Sequence, residues 1–149
     1  MKPRILIVYT GGTIGMTEDL ATGALVPFSF DHLMRNVPKI GRLGYTLDHV
    51  EIDPPIDSSN MNPAHWAQVA KMIADAYDDF DGFVVLHGTD TMAYTASVLS
   101  FMLRGISIPV VLTGAQLPMA HPLSDGMENL RTALAMAASG VPGVFLAFD

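Results

Sequence analysis

The sequence lacks cysteine and is poor in basic residues, and each scarcity excludes a class of function. With no cysteine among 149 residues, the chain can form no disulfide, thiolate metal site or cysteine nucleophile. Eight Lys and Arg stand against fifteen Asp and Glu, whereas nonspecific nucleic-acid binding needs clustered basic side chains. No apolar run approaches the roughly 20 residues of a membrane span, and the apolar run at 5–9 is too short for a signal-peptide core. We therefore expect a cytoplasmic protein with no nucleic-acid or membrane partner.

The histidines give no sign of a metal site. Their positions do not show the spacing of a metal-ligand set, so neither a metal nor another cofactor is expected. His87 follows an apolar run, but no neighbouring acid forms a Ser-His-Asp arrangement with it. We expect His87 to be packed or hydrogen-bonded rather than catalytic. The five positions are His32, His49, His65, His87 and His121.

Strand-like and helix-like segments alternate along the chain. This alternation predicts one α/β domain with a mostly parallel sheet flanked by helices in a Rossmann-like, three-layer arrangement. The predicted strands are 5–9, 45–52, 82–86, 108–112 and 144–148. The predicted helices are a short one beginning at Ser29, one from Asn62 to about Tyr77, one over 91–103 and one over 125–139. Asn62 followed by Pro63 is a helix start, and Asp90 or Thr91, and later Ser124 with Asp125, are candidate caps.

Two glycine-threonine loops each follow a predicted buried strand. Thr10-Gly11-Gly12-Thr13-Ile14 comes after the first strand, and His87-Gly88-Thr89-Asp90-Thr91 comes after the third. In α/β folds ligands bind at the carboxyl ends of the strands, so we expect both loops to face one crevice. Either loop alone could be a tight turn or a helix cap. A threonine nucleophile needs a base and an orienting acid, and the two loops together supply part of that set.

Four motifs extend over nearly the whole chain. They are Tyr9-Thr10-Gly11-Gly12-Thr13-Ile14-Gly15-Met16, Ile56-Asp57-Ser58-Ser59-Asn60-Met61, the segment 81–92 and Thr113-Gly114-Ala115-Gln116-Leu117-Pro118. In these residues and in their order the sequence resembles the bacterial L-asparaginases, most closely the cytoplasmic type I enzymes.

The resemblance implies a role for each matched residue. Thr13 matches the nucleophile, which attacks the side-chain amide of asparagine, releases ammonia and leaves an acyl-enzyme for water to hydrolyse. Thr89 matches the second catalytic threonine, and Asp90 matches the aspartate that works with it and meets the substrate amino group. The loop that binds the substrate's charged groups corresponds to Asp57, Ser58 and Ser59. Ala115 lies where a backbone carbonyl approaches the scissile amide.

The sequence departs from the family's pattern in two places. Many relatives carry a tyrosine on the mobile segment after the first loop, whereas residues 15–27 offer only the hydroxyls of Thr17 and Thr22. The family's catalytic lysine lies beyond the strand matching 144–148, and the lysines here are Lys2, Lys39 and Lys71. We therefore expect residues 1–149 to be an incomplete N-terminal domain, inactive alone, from a longer protein that forms a homodimer or homotetramer.

Other functions compete with asparagine hydrolysis. Glutamine hydrolysis, or a role as the amidase subunit of a transamidation enzyme, would use the same residues. A non-catalytic metabolite-binding module could use the glycine-rich turn for phosphate, although the Gly-x-Gly-x-x-Gly pattern and a Walker lysine are absent. A regulatory or structural half-domain is the third possibility. Ammonia release from asparagine separates the hydrolase from the last two.

Overall fold

The computed structural model describes residues 1–27 and 43–149, and the predicted helix beginning at Ser29 lies outside them. The described strands are β1 (Arg4–Tyr9), β2 (Met16–Glu18), β3 (Leu25–Pro27), β4 (Thr46–Glu51), β5 (Gly82–Leu86), β6 (Pro109–Thr113) and β7 (Gly143–Leu146). The α-helices are α1 (Pro63–Ala76), α2 (Met92–Met102) and α3 (Gly126–Ala137). All five predicted strands and the three predicted helices in this part of the chain are confirmed.

The main sheet has five strands in the order β4-β1-β5-β6-β7, and every neighbouring pair is parallel. β1 and its neighbour β5 are buried along almost their whole length, because helices cover both faces. Strands buried on both faces are continuous apolar runs rather than alternating ones, which is the pattern of Ile5-Leu6-Ile7-Val8 and Phe83-Val84-Val85-Leu86. The predicted α/β fold with a mostly parallel sheet is confirmed.

The core has two halves, one on each face of the sheet. On one face α3 places Leu130 and Leu134 against Ile5, Ile7 and Val84. On the other face α1 and α2 contribute their own apolar side chains, which pack against the alternate residues of the same strands. The side chains of this second set include Val69, Ile73, Leu99, Val8 and Val85. Ile14 and Ala115, which lie in loops at the carboxyl edge of the sheet, belong to the first set, so these loops are packed against the core.

The segment between the first loop and Pro27 contains a structure that the sequence did not predict. β2 and β3 form an antiparallel pair, with Thr17 opposite Val26. Asp19 closes the turn by accepting from the backbone N–H groups of Ala21 and Thr22 and from the Thr22 hydroxyl. These bonds lower the pKa of the Asp19 carboxyl. The strands have only three residues each, too few for period-two alternation to stand out.

The predicted helix starts are only partly confirmed. Asn62 caps α1, since its Oδ1 accepts from the N–H groups of Ala64 and His65. Thr91 holds the N-cap position of α2, as one of the two predicted candidates, but its side chain makes no cap bond and its hydroxyl donates to another loop. Asp125 holds the N-cap position of α3 but also makes no cap bond; instead the Ser124 hydroxyl accepts from Gly126 N–H at 3.0 Å.

No helix within residues 1–27 and 43–149 combines the length and apolar character needed to cross a membrane.

Candidate active site

The two glycine-threonine loops meet at the point where the strand order changes direction. From β1 the chain moves to β4 on one side and then returns to β5 on the other side, so the loops after β1 and β5 leave the sheet in a crevice between neighbouring strands. Ligands bind at this switch point in open parallel sheets. Thr10 anchors the first loop there, since its N–H and hydroxyl both donate to the Leu86 carbonyl oxygen, at 3.0 and 2.9 Å.

Glycines bring three loops into direct contact. A Cβ on Gly12 would lie 2.6 Å from Gly88 N, and a Cβ on Gly88 would lie 2.3 Å from Ser58 Oγ. A Cβ on Gly11 would likewise strike the Ile56 carbonyl oxygen, whose residue belongs to the loop after β4. Only glycine permits these approaches. The structure therefore brings together the loops that carry Thr13 and Thr89, as the sequence predicted, and adds the loop that carries Ser58.

Thr13 begins a short 3-10 turn directly after the glycine pair and is half-buried. Beneath this turn lies Tyr9, whose hydroxyl donates to the Gly12 carbonyl oxygen at 3.4 Å and whose ring occupies the space where Gly15 has no side chain. Burial, with a smaller effect from the charge of Glu51, raises the pKa of Tyr9 to about 12. Tyr9 therefore stays neutral and supports the turn from below.

Thr89 and Asp90 lie in the second loop, and Asp90 contacts the loop after β4. Thr89 is half-buried and Asp90 is exposed at the rim. The Ser58 hydroxyl donates to Asp90 Oδ2 at the long distance of 3.5 Å, and the Thr91 hydroxyl donates to the Ser58 carbonyl oxygen at 2.7 Å. These two bonds tie Ser58, which is 6% exposed, to the start of α2.

Asp57 and Ser59 are exposed on either side of Ser58 and form a local unit. Asp57 Oδ1 accepts from Ser59 N–H at 2.9 Å and from the Ser59 hydroxyl at 2.8 Å. These bonds, the backbone one first, lower the pKa of the Asp57 carboxyl. Asp57 is therefore a stable negative charge at the mouth of the crevice.

Ala115 lies in the loop after β6 and is 2% exposed, against the amino end of α3. Gly114 lets this loop pass the second one, because a Cβ there would lie 2.3 Å from the His87 carbonyl oxygen. A fourth loop thus joins the cluster. Within residues 1–27 and 43–149, His, Asp and Glu side chains form no group of three that could hold a metal ion.

A buried chain of hydrogen bonds supports the second loop, and the sequence revealed only its first member. His87 Nδ1 lies 2.7 Å from the Gly88 carbonyl oxygen, which can only accept, so Nδ1 carries the proton. Burial lowers the pKa of His87, which keeps the ring neutral and leaves Nε2 as an acceptor. Thr95 then donates to Nε2 at 2.8 Å and accepts from Trp66 Nε1 at 2.9 Å. His87 is hydrogen-bonded, as predicted. The other two side chains of the chain of bonds, Thr95 and Trp66, come from two different helices, so no local pattern marks them.

Replacing Thr95 with valine should destabilise the protein. The change keeps the shape of this fully buried side chain but leaves His87 Nε2 and Trp66 Nε1 without partners. We expect a loss of about 2 to 4 kcal/mol in the free energy of unfolding, since a buried unpaired group costs about 1 to 3 kcal/mol and Trp66 is only half-buried. Chemical denaturation measures it. Thr46→Val, on the exposed side of β4, should change stability by less than about 0.5 kcal/mol. Equal stability of both variants would contradict the role of the chain.

Comparison with known proteins decides the family. The sequence profile described as "Asparaginase, N-terminal" matches residues 4–149, almost the whole chain. The chain belongs to the asparaginase family. This asparaginase-family chain is 47% identical over 144 residues to L-asparaginase 1 of Escherichia coli K12, covering 93% of the chain and 41% of that relative. It also superimposes on the crystal structure of L-asparaginase I from Vibrio cholerae with a TM-score of 0.91 and 44% identity, covering 100% of the chain and 45% of that structure.

The same family includes a relative with a different name. A glutamyl-tRNA(Gln) amidotransferase component of Pyrococcus abyssi is 42% identical over 146 residues, which is 97% of this chain and 33% of that relative. The chain thus spans less than half the length of the relatives and structure it matches here. Membership in the family is established by these matches.

Proposed function

We propose that the protein to which this chain belongs hydrolyses L-asparagine to L-aspartate and ammonia. The observation that carries the proposal is the contact of three loops at the switch point, where Gly12 meets Gly88 and Gly88 meets Ser58. Thr13 directly follows Gly12 and Thr89 directly follows Gly88, and the resemblance implies a role for each of these threonines and for Ser58. The similarity to two proteins named L-asparaginase supports the same substrate.

The proposed reaction has two steps. Thr13 Oγ1 loses its proton and bonds to the side-chain carbonyl carbon of asparagine, the carbon–nitrogen bond breaks, and the nitrogen takes up a proton and leaves as ammonia. Water then cleaves the resulting ester, which frees aspartate and restores the Thr13 hydroxyl. Thr89 and Asp90 take part in the proton transfers from the second loop. The glycine turn around Gly12 places Thr13 over the crevice, and Tyr9 supports it.

The substrate's charged groups are assigned to the loop after β4. Asparagine carries an α-ammonium and an α-carboxylate, and recognition of this zwitterion needs an acid for the first and hydrogen-bond donors for the second. Asp57 supplies a negative charge, because the hydrogen bonds from Ser59 lower the pKa of its carboxyl group. Asp90 supplies a second carboxylate 3.5 Å from Ser58 Oγ. In this proposal the two acids bind the ammonium. The Ser58 and Ser59 hydroxyls, which donate to these acids in the free protein, turn to the substrate carboxylate instead.

The assembly and location form part of the same proposal. The full-length protein is a homodimer or homotetramer that works in the cytoplasm, as the resemblance to type I enzymes implies. Size-exclusion chromatography with light scattering on the full-length protein measures the oligomeric state, and cell fractionation measures the location.

Purified full-length protein tests the activity directly. With L-asparagine it should release ammonia and aspartate in equal amounts, and added hydroxylamine should yield aspartyl hydroxamate from the acyl-enzyme. A Thr13→Ala protein purified in parallel reports any contaminating asparaginase. No product above this background would refute the proposal and favour a non-catalytic binding module.

A second candidate is glutamine hydrolysis in an amidotransferase. The named Pyrococcus relative supports it, since it matches this chain almost as completely as the asparaginases do. The same assay with L-glutamine distinguishes the two. Faster ammonia release from glutamine than from asparagine would favour this candidate.

Ser58→Ala should weaken substrate binding more than it slows chemistry. A contact with a group remote from the scissile amide is similar in the ground and transition states, so its loss raises KM and leaves kcat almost unchanged. We expect KM to rise about tenfold, which is the effect of losing about 1.4 kcal/mol. Steady-state kinetics measure it, with Ser97→Ala on the exposed face of α2 as control. A fall in kcat at unchanged KM would contradict the assigned role.

A further inference from the structure

Two side chains hold the loop after β6. One is Asn129 in α3, and the other is Asp125 at the N-cap of that helix. Asn129 Nδ2 donates to the Gly114 carbonyl oxygen at 3.1 Å. Asp125 accepts from Gln116 N–H at 2.9 Å and from Leu117 N–H at 3.1 Å. Asn129 Nδ2 also lies 3.3 Å from Asp125 Oδ2, so the two side chains form one bracket around the loop.

This bracket fixes the direction of one backbone carbonyl. The peptide bond between Ala115 and Gln116 is trans, and in a trans peptide the C=O and N–H point in opposite directions. Because Gln116 N–H points to the Asp125 carboxylate, the Ala115 carbonyl points away from Asp125. Asn129 fixes the preceding peptide plane through the Gly114 carbonyl in the same way.

Asn129 also links this loop to the end of the neighbouring strand. Its Oδ1 accepts from Asp149 N–H at 3.0 Å, and Asp149 follows β7. The side chain is 2% exposed, and both its oxygen and its nitrogen are engaged. Its neighbours on α3, Leu130 and Ala133, are apolar core residues. A buried amide is costly unless it is hydrogen-bonded, so an apolar side chain would serve the core alone equally well. The amide serves the loop.

We propose that Asn129 and Asp125 are positioning residues that aim the Ala115 carbonyl into the active site. The inference rests on the proposed function, in which Ala115 faces the scissile amide. Neither side chain touches the substrate. Their effect on rate passes through the loop, since a displacement of about 1 Å in a reacting geometry can cost on the order of 100-fold in rate.

The test compares Asn129→Leu with Leu134→Val in the full-length protein. Leucine has the same branched skeleton of side-chain heavy atoms as asparagine, but its two methyl groups cannot hydrogen-bond the loop. Leu134→Val loosens the same helix in the core without touching the loop. We expect Asn129→Leu to lower kcat by about 10- to 100-fold with KM changed less than about threefold. Leu134→Val should keep kcat within about twofold at a similar fall in melting temperature.

Hydrogen exchange supplies a readout that does not depend on activity. The amides of residues 113–117 should exchange faster in Asn129→Leu than in Leu134→Val, while those of β1 and β5 should not differ. Asp125→Asn retains one acceptor oxygen, so it should show a smaller increase and a smaller loss of kcat. If Asn129→Leu does not fold, Asp125→Asn decides by the same two measurements.

The possible results separate the two proposals. Unchanged exchange at 113–117, or a loss of kcat equal to that of Leu134→Val, would overturn the positioning role. Absence of ammonia release from the wild-type protein would overturn the proposed function, and faster exchange in Asn129→Leu would then still show that the bracket holds the loop.

Discussion

Thr13→Ala in the full-length protein should abolish asparagine turnover and leave the fold intact. Thr13 is half-buried in a loop, so the change removes a hydroxyl from the crevice and no apolar group from the core. Without the hydroxyl no ester forms. Losing the nucleophile of a group that acts as a unit costs most of the rate, so we expect kcat to fall by at least about 1,000-fold. Ammonia release measures the rate, and thermal unfolding should show a melting temperature within about 2 °C of the wild type.

Two variants control this experiment. Thr13→Ser keeps a hydroxyl at the same place and should retain measurable turnover and hydroxamate formation. Thr46→Ala makes the same chemical change on an exposed position of β4, at the opposite end of the sheet, and should keep the wild-type rate. Near-normal turnover by Thr13→Ala would remove Thr13 as the nucleophile. A large fall in melting temperature would instead make its role structural.

The fold could be predicted because its main strands are locally unambiguous. The β1 and β5 segments are short apolar runs that end in glycine-containing loops, and buried parallel strands need such runs. The start of α1 is equally clear, since Pro63 directly follows Asn62 and the Asn62 side chain caps N–H groups two and three residues further on. These signals depend only on neighbouring residues, so a single sequence carries them in full.

The missed features depend on partners that are distant in the chain. Thr91 looks like a helix cap by its position, but its hydroxyl finds the Ser58 carbonyl oxygen, which lies 33 residues earlier. Asp125 looks like a cap for the same reason and instead holds the loop after β6. A cap side chain accepts from backbone N–H groups a few residues further along the chain. Where tertiary contact offers a better donor or acceptor, the sequence pattern alone cannot show it.

The candidate site was predicted one loop at a time, but the distances between the loops were not. Two glycine-threonine loops behind parallel strands indicate a shared edge of the sheet. The strand order decides which loops become neighbours, and it places β5 directly beside β1. The structure then shows why the glycines are needed, since backbone meets backbone at Gly12 and Gly88. The roles of the individual side chains stay predictions that the variants test.

Gly12→Ala should damage both activity and stability, because this position combines a forbidden backbone conformation with a forbidden contact. Its φ of 95° and ψ of 167° lie in a region that glycine alone adopts readily. The added Cβ would also lie 2.6 Å from Gly88 N and 2.7 Å from Gly88 Cα, which are backbone atoms that cannot rotate away. The two loops must therefore separate. We expect a loss of about 3 kcal/mol or more in the free energy of unfolding and a fall in kcat/KM of at least about 100-fold.

Gly105→Ala isolates the backbone part of this effect. Gly105 has a φ of +79°, but a Cβ there would meet no atom within 4 Å, so the substitution adds conformational strain without a collision. It should cost about 1 to 2 kcal/mol and leave kcat/KM unchanged. Denaturation and steady-state kinetics on both variants then give the contribution of the Gly12–Gly88 contact by difference. If Gly12→Ala lost no more stability than Gly105→Ala and kept its activity, the two loops would tolerate separation. The crevice between β1 and β5 could then not be the place where the reaction is organised.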